Sequence, residues 1–116
     1  MSIHPTAVVD PAAELGDVRI GPYAVVGPGV TLHDGVVLGA HAVVHGPTVV
    51  GAGTVLHPHA VLGGEPQDAK HDGSPTRLVV GAGCVFREFA TAHRGSSSGR
   101  GLTTIGDGCW LMCSSH

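Results

Sequence analysis

Large rings and charges are both scarce in this chain. One Trp, one Tyr and two Phe make up 3% of its 116 residues, and Asp, Glu, Lys and Arg together make up 13%. A core built around aromatic side chains is therefore excluded. The apolar share comes from Val, Ala and Leu, which suits thin, repetitive β-structure. Six Lys and Arg against nine Asp and Glu give a formal charge of -3, so there is no basic footprint for nucleic acid. No run approaches the roughly 18 uninterrupted apolar residues of a membrane span. The first residues also lack the basic stretch and apolar run of a secretory leader. The sequence is accordingly read as cytoplasmic, without a membrane span. Cys84, Cys109 and Cys113 are odd in number and show no CxxC spacing, which argues against a disulfide framework and for reduced thiols. A chain of this length fits one modest domain that only marginally buries a core alone, so a partner chain would help it.

What is present is a period. Aliphatic residues recur every six positions at Ile20, Val26, Leu32, Leu38, Val44, Val50, Leu56 and Leu62. Ile3, Val9 and Leu15 keep the same step before one residue is dropped. Four residues after these positions runs a second series of small or β-branched residues: Ala7, Ala13, Ala24, Val30, Val36, Ala42, Thr48, Thr54 and Ala60. A helix cannot hold a strict period of six, whereas a short strand followed by a corner can. A β-sandwich with frequent turns has no reason to keep both registers.

The corners are legible as well. Pro22, Pro28 and Pro58 stand two residues after the aliphatic position, and Gly29, Gly35, Gly53, His41 and His59 three after it. Pro-Gly signals a type II turn, which needs positive φ at its second residue. Tyr23 fits this slot less comfortably, and Pro47 cannot take positive φ, so those corners must differ locally. The expectation is all-β: a left-handed parallel β-helix of hexapeptide repeats over 1–116, about five coils, three hexads to a coil. Two polar interruptions, 64–75 and 95–101, break the period and read as loops thrown out from a rigid scaffold. After the first, the register returns at Val80 with Cys84 and Phe86 with Ala90. After the second, it returns at Ile105 with Cys109. The inward slots of Cys84 and Cys109 make them buried small hydrophobes rather than catalytic thiols.

Nine histidines invite a metal-site reading, as in a γ-type carbonic anhydrase. Seven of them follow the corner rule instead: His4, His33, His45, His57 and His93 come just after the aliphatic residue, and His41 and His59 take the turn slot. Corner histidines are read as structural.

Several ordered motifs go beyond the hexads: Ile3-His4-Pro5-Thr6-Ala7, Ile20-Gly21-Pro22-Tyr23, Gln67-Asp68-x-Lys70 with Gly73-x-Pro75-Thr76-Arg77, Arg87-Glu88, and His93-Arg94-Gly95 followed by Gly101-Leu102-Thr103. In these the chain resembles the acyl-[acyl-carrier-protein]–UDP-N-acetylglucosamine O-acyltransferases of lipid A synthesis. The resemblance implies transfer of a 3-hydroxyacyl group from acyl carrier protein to the sugar 3-hydroxyl, in clefts of a homotrimer, with no metal or bound cofactor. It implies that Gln67, Asp68 and Lys70 belong to a loop that holds the sugar-nucleotide and acyl chain, and that His93 and His116 line the cleft. In the family the general base is a second histidine, three residues past the position of His116. No catalytic base is therefore assigned within these 116 residues, and the expectation is a truncated domain, inactive alone. The other classes in view are a noncatalytic remnant that folds or trimerises, and another hexapeptide acyl- or acetyltransferase.

Overall fold

The computed structural model describes residues 1–64, 77–93 and 102–112, with only the backbone of His93. Among these are sixteen strands of two to four residues in three parallel sheets, wound as a left-handed parallel β-helix. The first sheet stacks β1 (Ser2–Ile3), β4 (Arg19–Ile20), β7 (Val37–Leu38), β10 (Val55–Leu56), β13 (Val85–Phe86) and β16 (Trp110–Leu111). The second stacks β2 (Val8–Val9), β5 (Val25–Val26), β8 (Val43–Val44), β11 (Val61–Gly64) and β14 (Thr91–His93). The third stacks β3 (Glu14–Leu15), β6 (Val30–Leu32), β9 (Thr48–Val50), β12 (Arg77–Val80) and β15 (Leu102–Ile105). That makes five coils and the first strand of a sixth, as the hexads imply. Registers follow the period: Val37 pairs with Val55, eighteen residues on.

Both inward series line one continuous core. Ile20, Val26, Leu32, Leu38, Val44, Val50, Leu56, Leu62, Val80 and Phe86 are buried, and so are Ala24, Val30, Val36, Ala42, Thr48, Thr54, Ala60, Cys84 and Ala90. Where the first coil drops a residue, at Gly16-Asp17, Val18 takes the inward slot and is buried. Phe86 is the largest fully buried side chain, in a column otherwise held by Leu38, Leu56 and Leu111. The small neighbours Cys84, Ala90 and Ala92 leave room for its ring. Cys109 is only partly buried but packs against the same core.

The two buried threonines complete corner hydrogen bonding. Thr48 Oγ1 donates to the His45 carbonyl at 2.6 Å. Thr54 Oγ1 donates to the Gly81 carbonyl at 3.0 Å and accepts from the Cys84 N–H at 3.2 Å, tying successive coils together. Thr54→Val keeps the shape but leaves the buried Cys84 donor without this partner, so we expect a loss of about 1–3 kcal/mol, read from urea denaturation.

The turn slot adopts positive φ as the sequence implies, at Gly29 (74°), His41 (61°) and His59 (67°). Tyr23 takes it too, at 59°, and Phe89 at 62°. The Pro47 corner does differ: its peptide bond to Gly46 is cis. Stacked in the turn slot of consecutive coils, Tyr23, His41, His59 and Phe89 form a column of nearly parallel rings, with centroids 5.2, 4.9 and 5.1 Å apart.

Candidate functional site

Three corners run the length of the helix, and the two interruptions leave from one of them, between the second and third sheets. β11 ends at Gly64 and the chain re-enters at Arg77; β14 ends at His93 and re-enters at Leu102. The points of departure are neighbours, since Gly64 pairs with His93 after a register shift beyond Leu62. The points of return are neighbours too, since Arg77 pairs with Leu102. The segments carrying Gln67, Asp68 and Lys70 and following His93 are thus anchored on consecutive coils at a single edge. Gln67, Asp68, Lys70 and His116, and the expected outward projection of both loops, lie outside the described residues.

The edge itself is tightly built. Gly63 sits at φ 75°, and a Cβ there would collide with the His45 carbonyl oxygen and Thr48 Oγ1, the two atoms already hydrogen-bonded to each other. The corner one coil earlier holds the cis Gly46-Pro47 peptide, and the Pro47 carbonyl accepts from the Leu78 N–H at 3.1 Å as β12 begins.

Across the second sheet, the corner with the first sheet carries charge. Arg87 Nε and Glu88 Oε1 lie 3.1 Å apart, both partly exposed. The backbone N–H of Glu88 itself, then the Arg87 guanidinium, hold the Glu88 carboxyl below its ordinary range, with His57 adding a smaller contribution of the same sign. Beyond this pair, Phe89, Trp110 and Met112 are exposed apolar groups. Among the described residues no three His, Cys, Asp or Glu side chains are grouped to hold a metal ion.

Residues 16–46 and 30–64 match the family described as bacterial transferase hexapeptide (six repeats). The chain is 48% identical, over 98% of its length, to the acyl-[acyl-carrier-protein]–UDP-N-acetylglucosamine O-acyltransferase of Brucella ovis, and covers 41% of that protein. Over the portion they share, the chain belongs to the UDP-N-acetylglucosamine O-acyltransferase family. Solved structures agree. The UDP-N-acetylglucosamine O-acyltransferase of Moraxella catarrhalis superposes with a TM-score of 0.93 at 36% identity, covering 97% of this chain and 45% of that one. The Arabidopsis UDP-N-acetylglucosamine acyltransferase gives 0.74 at 32%, covering 97% and 47%. A perosamine N-acetyltransferase from Caulobacter crescentus, at 20% identity and a TM-score of 0.61, shares the fold alone. The chain spans about two fifths of the length of the curated relatives it matches.

Sequence reasoning missed the pairing of Gly64 with His93. The signal was available: Leu62 and Ala92 occupy equivalent slots in the hexad register, so both interruptions follow the same kind of strand. It also missed the corner carboxylates. Asp34 Oδ1 accepts from the Asp17 N–H at 2.7 Å and Asp107 Oδ1 from the Ala82 N–H at 2.8 Å, each capping the corner of the preceding coil.

Proposed function

We propose that the protein takes part in moving a 3-hydroxyacyl group from acyl carrier protein to the 3-hydroxyl of UDP-N-acetylglucosamine, as a cytoplasmic homotrimer. In this reading Gln67, Asp68, Lys70, His93 and His116 line the substrate cleft. Asp68 accepts from sugar hydroxyls, and Lys70 complements the anionic diphosphate. A histidine takes the proton of the attacking hydroxyl, since imidazole titrates near working pH. A backbone N–H stabilises the oxyanion that develops on the thioester carbonyl. The base is none of the five residues named.

The observation that carries the reading is the shared anchoring: the segment with Gln67, Asp68 and Lys70 and the segment after His93 both start from the paired residues Gly64 and His93. Loops from adjacent coils at one edge are placed to act on one ligand. The 48% identity to an enzyme named for this reaction supports the substrate. For the trimer, the support is the apolar outer surface of the first two sheets, where Val37, Val55 and Val85, and Val25, Val43 and Val61, are only partly covered by the chain itself.

Calorimetric titration with UDP-N-acetylglucosamine tests the binding residues. Asp68→Ala and Lys70→Ala should each weaken binding about tenfold, equivalent to about 1.4 kcal/mol, and leave far-UV circular dichroism unchanged. Unaltered affinity in both variants, or a large loss of folded signal in Asp68→Ala, would refute a substrate role for this loop. Sedimentation equilibrium should return three times the 11.6 kDa chain mass; a monomer would contradict the trimer.

A further inference from the structure

We propose that the ring column on the corner between the first and second sheets is a proton-sensitive joint, in which the stacked pair His41 and His59 makes the coil stack less stable as the solution is acidified. The geometry is specific. The two imidazoles lie face to face with centroids 4.9 Å apart and planes within 2° of parallel. Tyr23 covers the outer face of His41 at 5.2 Å and 11°, and Phe89 covers that of His59 at 5.1 Å and 5°. All four side chains sit in the turn slot at φ between 59° and 67°, so the backbone of four successive coils holds the rings in register.

Each imidazole has one aromatic neighbour whose π-face attracts a cation. One proton on the column is therefore accommodated. A second proton meets the first across the His41–His59 gap. Two unit charges at this spacing repel by the equivalent of about fourfold in an equilibrium constant even in bulk water, and the spacing is shorter than the screening length at physiological salt. In the unfolded chain the rings are far apart and both take protons freely. Acid thus favours the unfolded chain: the doubly charged column is opposed only in the folded state, and folding stability falls with pH. The titratable and charged groups along the same corner, among the described residues, are His4, Tyr23, His57, Arg87 and Glu88. Arg87 and Glu88 are paired with each other, and His57 acts on Glu88, so the nearest carboxylate is already engaged. His4 Nδ1 is bonded to Thr6 Oγ1 at 2.8 Å, which in turn accepts from the Tyr23 N–H at 3.0 Å. The column ends at Phe89 on the coil of His93, so its loosening is felt next to the loop anchors.

The test compares the full chain with His41→Phe, His59→Phe and the double variant in urea denaturation at pH 7.5 and 5.0, at fixed protein concentration. Phe and Tyr already occupy this slot at Phe89 and Tyr23, so the substitutions suit the backbone. The unsubstituted chain should lose about fourfold more of its folding equilibrium constant over this pH range than either single variant. Equal losses in the unsubstituted chain and both single variants would overturn the proposal. A measurement that needs no variant is the 1H–15N spectrum of the imidazoles: His41 and His59 should respond to acid in two stages, and independent single-stage responses of both rings would refute the joint.

Discussion

Phe86→Ala should destabilise the chain by about 3–5 kcal/mol, a large share of what a domain of this size has to lose. The ring is fully buried and stands directly between Leu56 and Leu111 in the first sheet. A β-helix has a core one coil thick, with no second layer to collapse inward. The surrounding Cys84, Ala90 and Ala92 are too small to reach into the space. The cavity therefore stays open, and the cost includes both the lost transfer energy and the void. Phe86→Leu, which restores the residue type of Leu56 and Leu111, should recover more than half of the loss. The readout is the denaturation midpoint at constant slope; a Phe86→Ala loss below about 1 kcal/mol would show that the core relaxes in a way the stacked registers do not allow.

Gly63→Ala should cost on the order of 3 kcal/mol or more, and its comparison with Gly53→Ala separates two causes. Both glycines hold positive φ, 75° and 72°. Forcing a side chain into that conformation costs about 1–2 kcal/mol by itself. At Gly53 a Cβ meets nothing within 4 Å, so only this conformational cost applies. At Gly63 the Cβ runs into the His45 carbonyl and the hydroxyl of the buried Thr48, neither of which can move without breaking their mutual bond. The clash falls one residue before the point where 65–76 departs, so Gly63→Ala should also weaken UDP-N-acetylglucosamine binding, whereas Gly53→Ala leaves it unchanged. Equal destabilisation by the two substitutions would mean that the corner packing around Thr48 adds nothing.

The coil architecture was legible because a strict period of six in two registers admits few three-dimensional solutions. Thr48 and Thr54 were even placed inward by the count alone, against their polarity, and their hydroxyls are satisfied there by corner groups. The turn slot was legible at Gly29, His41 and His59 from residue chemistry. Pro47 marked its own exception, since a fixed negative φ cannot sit in that slot. Other features escaped because they depend on which hexads stack. The ring column needs Tyr23, His41, His59 and Phe89 to be aligned across coils of unequal sequence length, eighteen residues apart at first and thirty across the interruption. The Gly64–His93 pairing likewise appears only once the interruptions are removed from the count. The binding residues Gln67, Asp68, Lys70, His93 and His116 were named from motif resemblance, and their side chains lie outside the described residues.

The central claim is that one edge of the helix, between the second and third sheets, carries the substrate loops. Backbone amide NMR during titration with UDP-N-acetylglucosamine tests it most directly, because the loop anchors are reporters whose places are known. Gly64, Arg77, His93 and Leu102 should shift with saturating ligand, while Val8, Glu14 and Asp34 in the first two coils stay still. Shifts concentrated on the corner between the third and first sheets, at Asp34, Gly53 and Asp107, with the four anchors unmoved, would contradict the claim.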